Sequence, residues 1–158
     1  MAWLLCDVDG VLTDGRLYYG AGEPLVAFDI KDGWAMKAAR RAGLKVGILT
    51  GRNTPAVAAR AADLGLDATI LGREDKGAAL DEFLVRNNCG EAAIAYIGDD
   101  LLDLPILRRA GLALCPGDAA AEVRAVAHRV LSRDGGRGAV REAIEAILAA
   151  RGAWPPTP

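Results

Sequence analysis

A doubly wound α/β domain with a mostly parallel sheet is the fold this sequence predicts. Short apolar runs ending in Gly, Asp or Thr recur along the chain and read as buried strands. Ala-rich stretches of helical period separate them. Such alternation implies parallel strands with both sheet faces covered by helices. The length agrees: 158 residues suit one domain, because a chain of that size buries roughly 70% of its unfolded surface.

WLLCDVD (3–9) is the first strand. After it, RLYY (16–19), the turn material GAGEP and LVAFDI (25–30) read as a β-hairpin inserted over 16–30. It carries Tyr18, Tyr19 and Phe28, a large share of the few aromatics. A lone hairpin is marginal in water. It is therefore expected to pack against a second copy of the chain; the other reading is a flap over the domain's own body. Asp32 is placed to cap a helix through Ala42, with Gly43 as its stop. KVGILT (45–50) is the second strand, and Thr54-Pro55 opens a helix that Gly65 closes. ATIL (68–71) and AIAYIG (93–98) follow as strands, and LALC (112–115) and HRVL (128–131) extend the sheet. Further helices are expected at 77–87, 101–110, 118–127 and 138–150. Residues 1–152 form one domain with no repeat or linker, and the proline-rich end 153–158 is expected to be extended and mobile.

Composition removes several classes of function. With 52% hydrophobic residues and a formal net charge of -2, the chain is not disordered. Lys+Arg 19 against Asp+Glu 21 leaves no positive excess for a nucleic-acid partner. No apolar run approaches the ~18 residues of a membrane span. Met1 to Cys6 is too short for a signal peptide and lacks a basic flank. Cys6, Cys89 and Cys115 are odd in number and form no CxxC pair, which reads as buried thiols in a reducing cytoplasm. His128, the only histidine, reads as structural.

Ligands of open α/β sheets bind beyond the carboxyl ends of the strands, and the polar residues fall there. The first strand finishes Asp7-Val8-Asp9-Gly10, and the strand pleat sends both carboxylates to one side while Val8 enters the core. The second ends Thr50-Gly51-Arg52, with a hydroxyl and free backbone N–H groups at a loop. Lys76 begins the helix after the third strand. The fourth ends Gly98-Asp99-Asp100, with Asp103 one turn later. Carboxylates converging on one spot repel each other unless a cation holds them. All-oxygen ligation favours a hard ion, Mg²⁺ foremost. Lys76 and Thr50 beside that acidic nest suggest a bound anion, and phosphate fits both halves. Phosphoryl transfer, which needs charge neutralisation and in-line positioning, is the matching reaction. DVDGVLTDG also mimics half a calcium loop, but its spacing misses the EF-hand pattern and no glutamate closes it. Taken singly, Thr50 is a cap or turn residue, Lys76 a solvated lysine and Asp99-Asp100 a helix cap. Their succession along one sheet edge carries the signal.

With these residues in place, the chain resembles the haloacid-dehalogenase superfamily of phosphohydrolases. DVDGVLTDG is similar to its first motif, ILTGR to the second, Lys76 to the third and IGDDLLDLP to the fourth. FDIKDGWAMK (28–37) and GGRGAVRE (135–142) extend the likeness over nearly the whole chain, toward the 3-deoxy-D-manno-octulosonate 8-phosphate (Kdo-8-phosphate) phosphatase family. The resemblance implies a Rossmannoid fold without a large cap domain. It implies a homotetramer with hairpins at its centre and a neighbouring subunit closing each site. The implied reaction is Mg²⁺-dependent hydrolysis of Kdo-8-phosphate to Kdo and phosphate, in lipopolysaccharide precursor synthesis in the cytoplasm. Asp7 would be the nucleophile that becomes an aspartyl-phosphate, and Asp9 the acid and then the base. The Asp7 carboxylate, the Asp9 carbonyl and Asp99 would hold the metal. Asp100 would support it through water or orient Lys76, and Asp103 would stand behind the direct ligands. Thr50 and Lys76 would hold the phosphoryl oxygens, with Gly10 and Gly51 allowing close backbone approach.

For the substrate, the resemblance assigns Arg52 to the sugar carboxylate and, with Arg137, favours eight carbons. Relatives acting on nine-carbon keto-sugar acids carry glutamate at the first position and GGEG in place of GGRG. Arg60, two helical turns beyond Arg52, would reach a neighbouring subunit's site; its plainer reading is an exposed helix arginine. LCPGDAAAEV (114–123) departs from the family's alanine-aspartate-alanine-histidine-proline run. Three rival functions stand beside this one. A phosphoacceptor receiver domain would need an acceptor aspartate after the third strand, where Leu71-Gly72-Arg73 stands instead. A non-catalytic oligomerisation module would not need both Asp7 and Asp9. A phosphatase for a nine-carbon 9-phosphate differs only in substrate.

Overall fold

The computed structural model of the chain describes residues 1–155. Six parallel strands form one sheet: β1 (Trp3–Cys6), β2 (Lys45–Leu49), β3 (Ala68–Ile70), β4 (Ile94–Ile97), β5 (Leu112–Cys115) and β6 (Arg129–Val130). Their spatial order is β3-β2-β1-β4-β5-β6, so the chain winds outward from β1 and then returns to its other side. The reversal between β1 and β4 leaves a crevice at their carboxyl ends, where such sheets bind ligands.

Side chains on a strand alternate between faces, and the core divides accordingly. Leu4, Cys6, Val46, Ile48 and Ile97 pack on one face against α1 (Ile30–Arg41), α2 (Pro55–Leu64) and α6 (Ala139–Ala150). Trp3, Leu5, Leu49, Ile94 and Tyr96 face the other way, onto α3 (Lys76–Asn87), α4 (Leu104–Leu107) and α5 (Ala121–Val126). Each buried aliphatic side chain contributes on the order of 1.5–3 kcal/mol. The helix ends of α2 obey local chemistry: the Thr54 hydroxyl accepts from Val57 N–H at 3.4 Å, and Gly65 closes the helix at φ 61°.

Several expectations need correction. The N-cap of α1 is Asp29, whose carboxylate accepts from Lys31 N–H at 2.6 Å; Asp32 lies inside the helix and is buried. Asp29 stops LVAFDI from continuing as a strand. The hairpin is reduced to one antiparallel bridge, with Tyr18 and Leu25 exchanging N–H···O bonds of 3.1 and 3.0 Å. Tyr18, Tyr19 and Leu25 stand exposed. The helix expected at 101–110 is a 3₁₀ turn, Leu101–Asp103, followed by the short α4, because Asp100 and Asp103 cap that turn reciprocally. The chain end is anchored at its start: Ala153 N–H bonds to the Leu148 carbonyl at 2.8 Å and Trp154 meets Trp34 edge-on at 6.2 Å. Residues 156–158 of the expected mobile tail lie outside the described residues. No helix among the described residues is long and apolar enough to cross a membrane. Cys6 and Cys115 are buried thiols and Cys89 is half-buried.

Candidate active site

Beyond β1 and β4 lies a cleft of about 550 Å³. Its floor is a buried charge network. Lys76 is the first residue of α3, after the N-cap Asp75, and is only 3% exposed. Its Nζ lies 2.9 Å from Asp7 Oδ2 and 2.6 Å from Asp103 Oδ1. The Tyr96 hydroxyl, rising from β4, donates to the same Asp103 oxygen at 2.6 Å. Asp99 and Asp100 N–H donate to Asp103 Oδ2 at 2.9 and 3.2 Å. Both Asp103 oxygens are thus saturated by donors of the chain itself. Gly98 makes room for this carboxylate, since a Cβ there would meet Asp103 Cβ at 2.5 Å.

Asp99 differs. Its Oδ1 is buried and has no hydrogen-bond partner among the described residues. Gly10, at φ +76°, presses so close that a Cβ would sit 2.0 Å from Asp99 Oδ2. One oxygen each from Asp7, Asp99 and Asp103 lies within 4.8 Å of the others. The crowding sets the protonation. Burial, then the charges of Asp7 and Asp103, raises Asp99 to about 8. Burial and Asp103 raise Asp7 to about 6 against the opposing pull of Lys76. Burial lowers Lys76, but Asp7 and Asp103 outweigh it and hold the ammonium charged. Tyr96 is pushed well above the ordinary phenol value, by burial first and then by Asp103. An orphaned carboxylate oxygen beside a second acidic group is a donor set that fits a hard divalent cation. Since Asp103 is already saturated, Asp7 and Asp99 are the carboxylates left to face it.

The wall of the cleft comes from β2. Thr50 is buried; its Oγ1 accepts from Arg52 N–H at 3.1 Å, leaving the hydroxyl hydrogen for a ligand. Arg52 Nε reaches Asp9 Oδ2 at 2.5 Å. Asp9 does not sit on a strand as expected: β1 ends at Cys6, and the Val8 carbonyl accepts from Leu12 and Thr13 N–H at 2.9 and 3.0 Å, winding the chain into a turn. Val8 still points into the core, and Asp9 still lines the same cleft as Asp7.

A model of haloacid dehalogenase-like hydrolases matches residues 72–144. The 3-deoxy-D-manno-octulosonate 8-phosphate phosphatase KdsC of Yersinia pestis is 41% identical, over 94% of this chain and 80% of its own. The chain belongs to the 3-deoxy-D-manno-octulosonate 8-phosphate phosphatase family. A crystal structure of that phosphatase from Moraxella catarrhalis, in complex with magnesium ion, phosphate ion and a KDO molecule, superposes with a TM-score of 0.95 at 36% identity, covering 98% of this chain and 89% of that one. A probable yrbi family phosphatase from Pseudomonas syringae gives a TM-score of 0.95 at 42% identity, with 98% and 88% covered.

The geometry gathers Asp7, Asp9, Gly10, Thr50, Gly51, Arg52, Lys76, Asp99, Asp100 and Asp103 around one cleft, as the family motifs imply. Arg60, expected at a neighbouring subunit's site, and Arg137 lie outside this cleft. Arg60 pairs with Asp63 at 3.1 Å, donates to the Asp29 carbonyl and lies over the Phe28 ring, on the far side of α2. Arg137 is exposed and faces Asp14 at 3.8 Å. Asp100 does not orient Lys76; its carboxylate accepts from Leu101 N–H at 2.7 Å, and Asp103 holds the lysine instead. Gly51 is not required by its own chain, since a Cβ there would meet nothing closer than 3.8 Å. Sequence reasoning missed Tyr96, read as one more apolar residue of AIAYIG. A tyrosine inside an otherwise aliphatic buried strand is itself a signal, because its hydroxyl must find a partner.

Proposed function

We propose that this chain hydrolyses the phosphate monoester of 3-deoxy-D-manno-octulosonate 8-phosphate, releasing Kdo and phosphate. The observation that carries the chemistry is the saturated Asp103–Lys76–Tyr96 floor beneath Asp7 and the orphaned oxygen of Asp99. Asp7 attacks phosphorus; its O–P bond forms as the bond to the sugar oxygen breaks. Asp9 delivers the proton that the leaving oxygen takes up. A water then attacks the aspartyl-phosphate, gives its proton to Asp9, and the Asp7 O–P bond breaks to regenerate the carboxylate. Lys76, Thr50 and the backbone N–H groups at Gly51 stabilise charge on the phosphoryl oxygens as it builds. Lys76 is fixed by Asp103 before substrate arrives, so its charge is preorganised for the reaction. The Asp7 carboxylate, the Asp9 carbonyl and Asp99 would hold Mg²⁺, which would neutralise phosphate charge and aid alignment.

The exposed Tyr18, Tyr19 and Leu25 support assembly through the hairpin segment, as a cytoplasmic homotetramer. In that assembly Arg60 meets a neighbouring site. Arg52 favours the eight-carbon acid over a nine-carbon one. A phosphate-release screen across sugar phosphates, with and without chelator, tests the function. Kdo-8-phosphate is the expected best substrate, activity vanishes with chelator, and Asp7→Asn lowers turnover by at least about 10³-fold. Substantial turnover by the variant removes Asp7 as nucleophile, and a preference for a nine-carbon 9-phosphate changes the substrate.

A further inference from the structure

Six carboxylates line the cleft against two cations, Lys76 and Arg52. The lysine is committed, held between Asp7 and Asp103 in the buried floor. Arg52 is different in kind. Its side chain is 27% exposed, and its Nε contacts a single carboxylate oxygen, Asp9 Oδ2, at 2.5 Å. Its Nη1 and Nη2 make no hydrogen bond among the described residues. The Arg52 backbone stays tied to Thr50 Oγ1 at 3.1 Å, so only the side chain is free to change partners.

We propose that Arg52 is a latch on Asp9, and that a second anionic group on the substrate, a carboxylate, opens it. The proposal rests on the reading of Asp9 as the group that exchanges a proton with the leaving oxygen. While the guanidinium covers Asp9 Oδ2, that oxygen cannot meet the leaving group. The open edge of the guanidinium presents a planar fork to incoming anions, the geometry that binds a carboxylate bidentately. The pair uses one guanidinium nitrogen and both side chains are still more than a quarter exposed, so solvent weakens it and a well-placed substrate carboxylate wins the competition. Recognition of the acid and release of Asp9 are then one event. A phosphate ester without a second anion leaves the latch closed. Arg52 therefore raises turnover of the acidic substrate and suppresses turnover of others, which a simple binding residue does not do.

The test compares wild type with Arg52→Gln on Kdo-8-phosphate and on p-nitrophenyl phosphate, with Mg²⁺ present and thermal midpoints checked. On Kdo-8-phosphate, kcat/KM of the variant falls about tenfold or more. On p-nitrophenyl phosphate it rises about two- to fivefold, the scale of releasing a weak ion pair. In a second arm, free pyruvate speeds wild-type hydrolysis of p-nitrophenyl phosphate and leaves the variant unchanged. An active wild type whose variant is slower or unchanged on p-nitrophenyl phosphate, or whose hydrolysis ignores pyruvate, overturns the latch alone. A wild type inactive on both esters overturns the phosphatase function and the latch together.

Discussion

Asp99 and Asp103 follow the same strand, four residues apart, and meet opposite fates. Asp103 is completely buried and accepts from Lys76, Tyr96 and two backbone N–H groups. Asp99 is walled in by Gly10 and keeps a buried oxygen with no donor among the described residues. Burying a carboxylate is costly unless its lone pairs are met. The chain meets that need at Asp103 and leaves it unmet at Asp99. The first carboxylate is scaffold, and the second keeps an open oxygen of the kind that suits a hard cation. A third buried acid lies away from the cleft and falls between them. Asp32 Oδ1 accepts from Arg141 N–H at 2.7 Å, capping α6 from across the α1–α6 contact, while its Oδ2 has no partner among the described residues. The loop before α6 in turn bonds to the turn that follows β1, through Gly136 N–H to the Val11 carbonyl at 2.9 Å.

Removing the saturated acid and removing the acids with an unmet oxygen are expected to differ in sign. Asp103→Ala strands Lys76 and Tyr96 in the interior and is expected to cost about 3–5 kcal/mol in urea unfolding. A loss below about 1 kcal/mol would show that Asp103 is not a scaffold for Lys76 and Tyr96. Asp32→Asn acts in the other direction and depends on pH. Burial raises the Asp32 carboxyl to about 6, against the Arg141 N–H bond that lowers it. As pH rises from about 4, the unfolded chain loses its proton first, so stability falls until the folded carboxyl has ionised. The variant, which keeps the acceptor and lacks the charge, should match wild type below pH 4. It should exceed wild type by roughly 3 kcal/mol at most above pH 7. A gap that does not vary with pH would contradict this.

Asp99→Asn tests the orphaned oxygen. The metal-free variant is expected to be as stable as wild type or more so, by about 1–3 kcal/mol. Mg²⁺ should raise the thermal midpoint of wild type but not of the variant. An equal Mg²⁺ response in both would remove Asp99 as a ligand.

Much of this was legible before any coordinates. The strands, the α2 caps at Thr54 and Gly65, and the acid set at the strand ends all follow from local pattern. The misreadings share a cause, which is that their outcome depends on partners distant in sequence or on another chain. Asp32 resembles a cap for its own helix, yet its partner amide is 109 residues away. Of the hairpin segment, Phe28 packs against the core while Tyr18, Tyr19 and Leu25 stay exposed in the single chain.

Side-chain period and capping chemistry determined the parallel sheet, its helices and the acids at its carboxyl edge, because those signals act within a few residues. Only the tertiary structure decided which acid is saturated, which is left open and which arginine faces the cleft. Hydrogen-bond donors reach a buried carboxylate from wherever the fold brings them, and no local pattern records that supply.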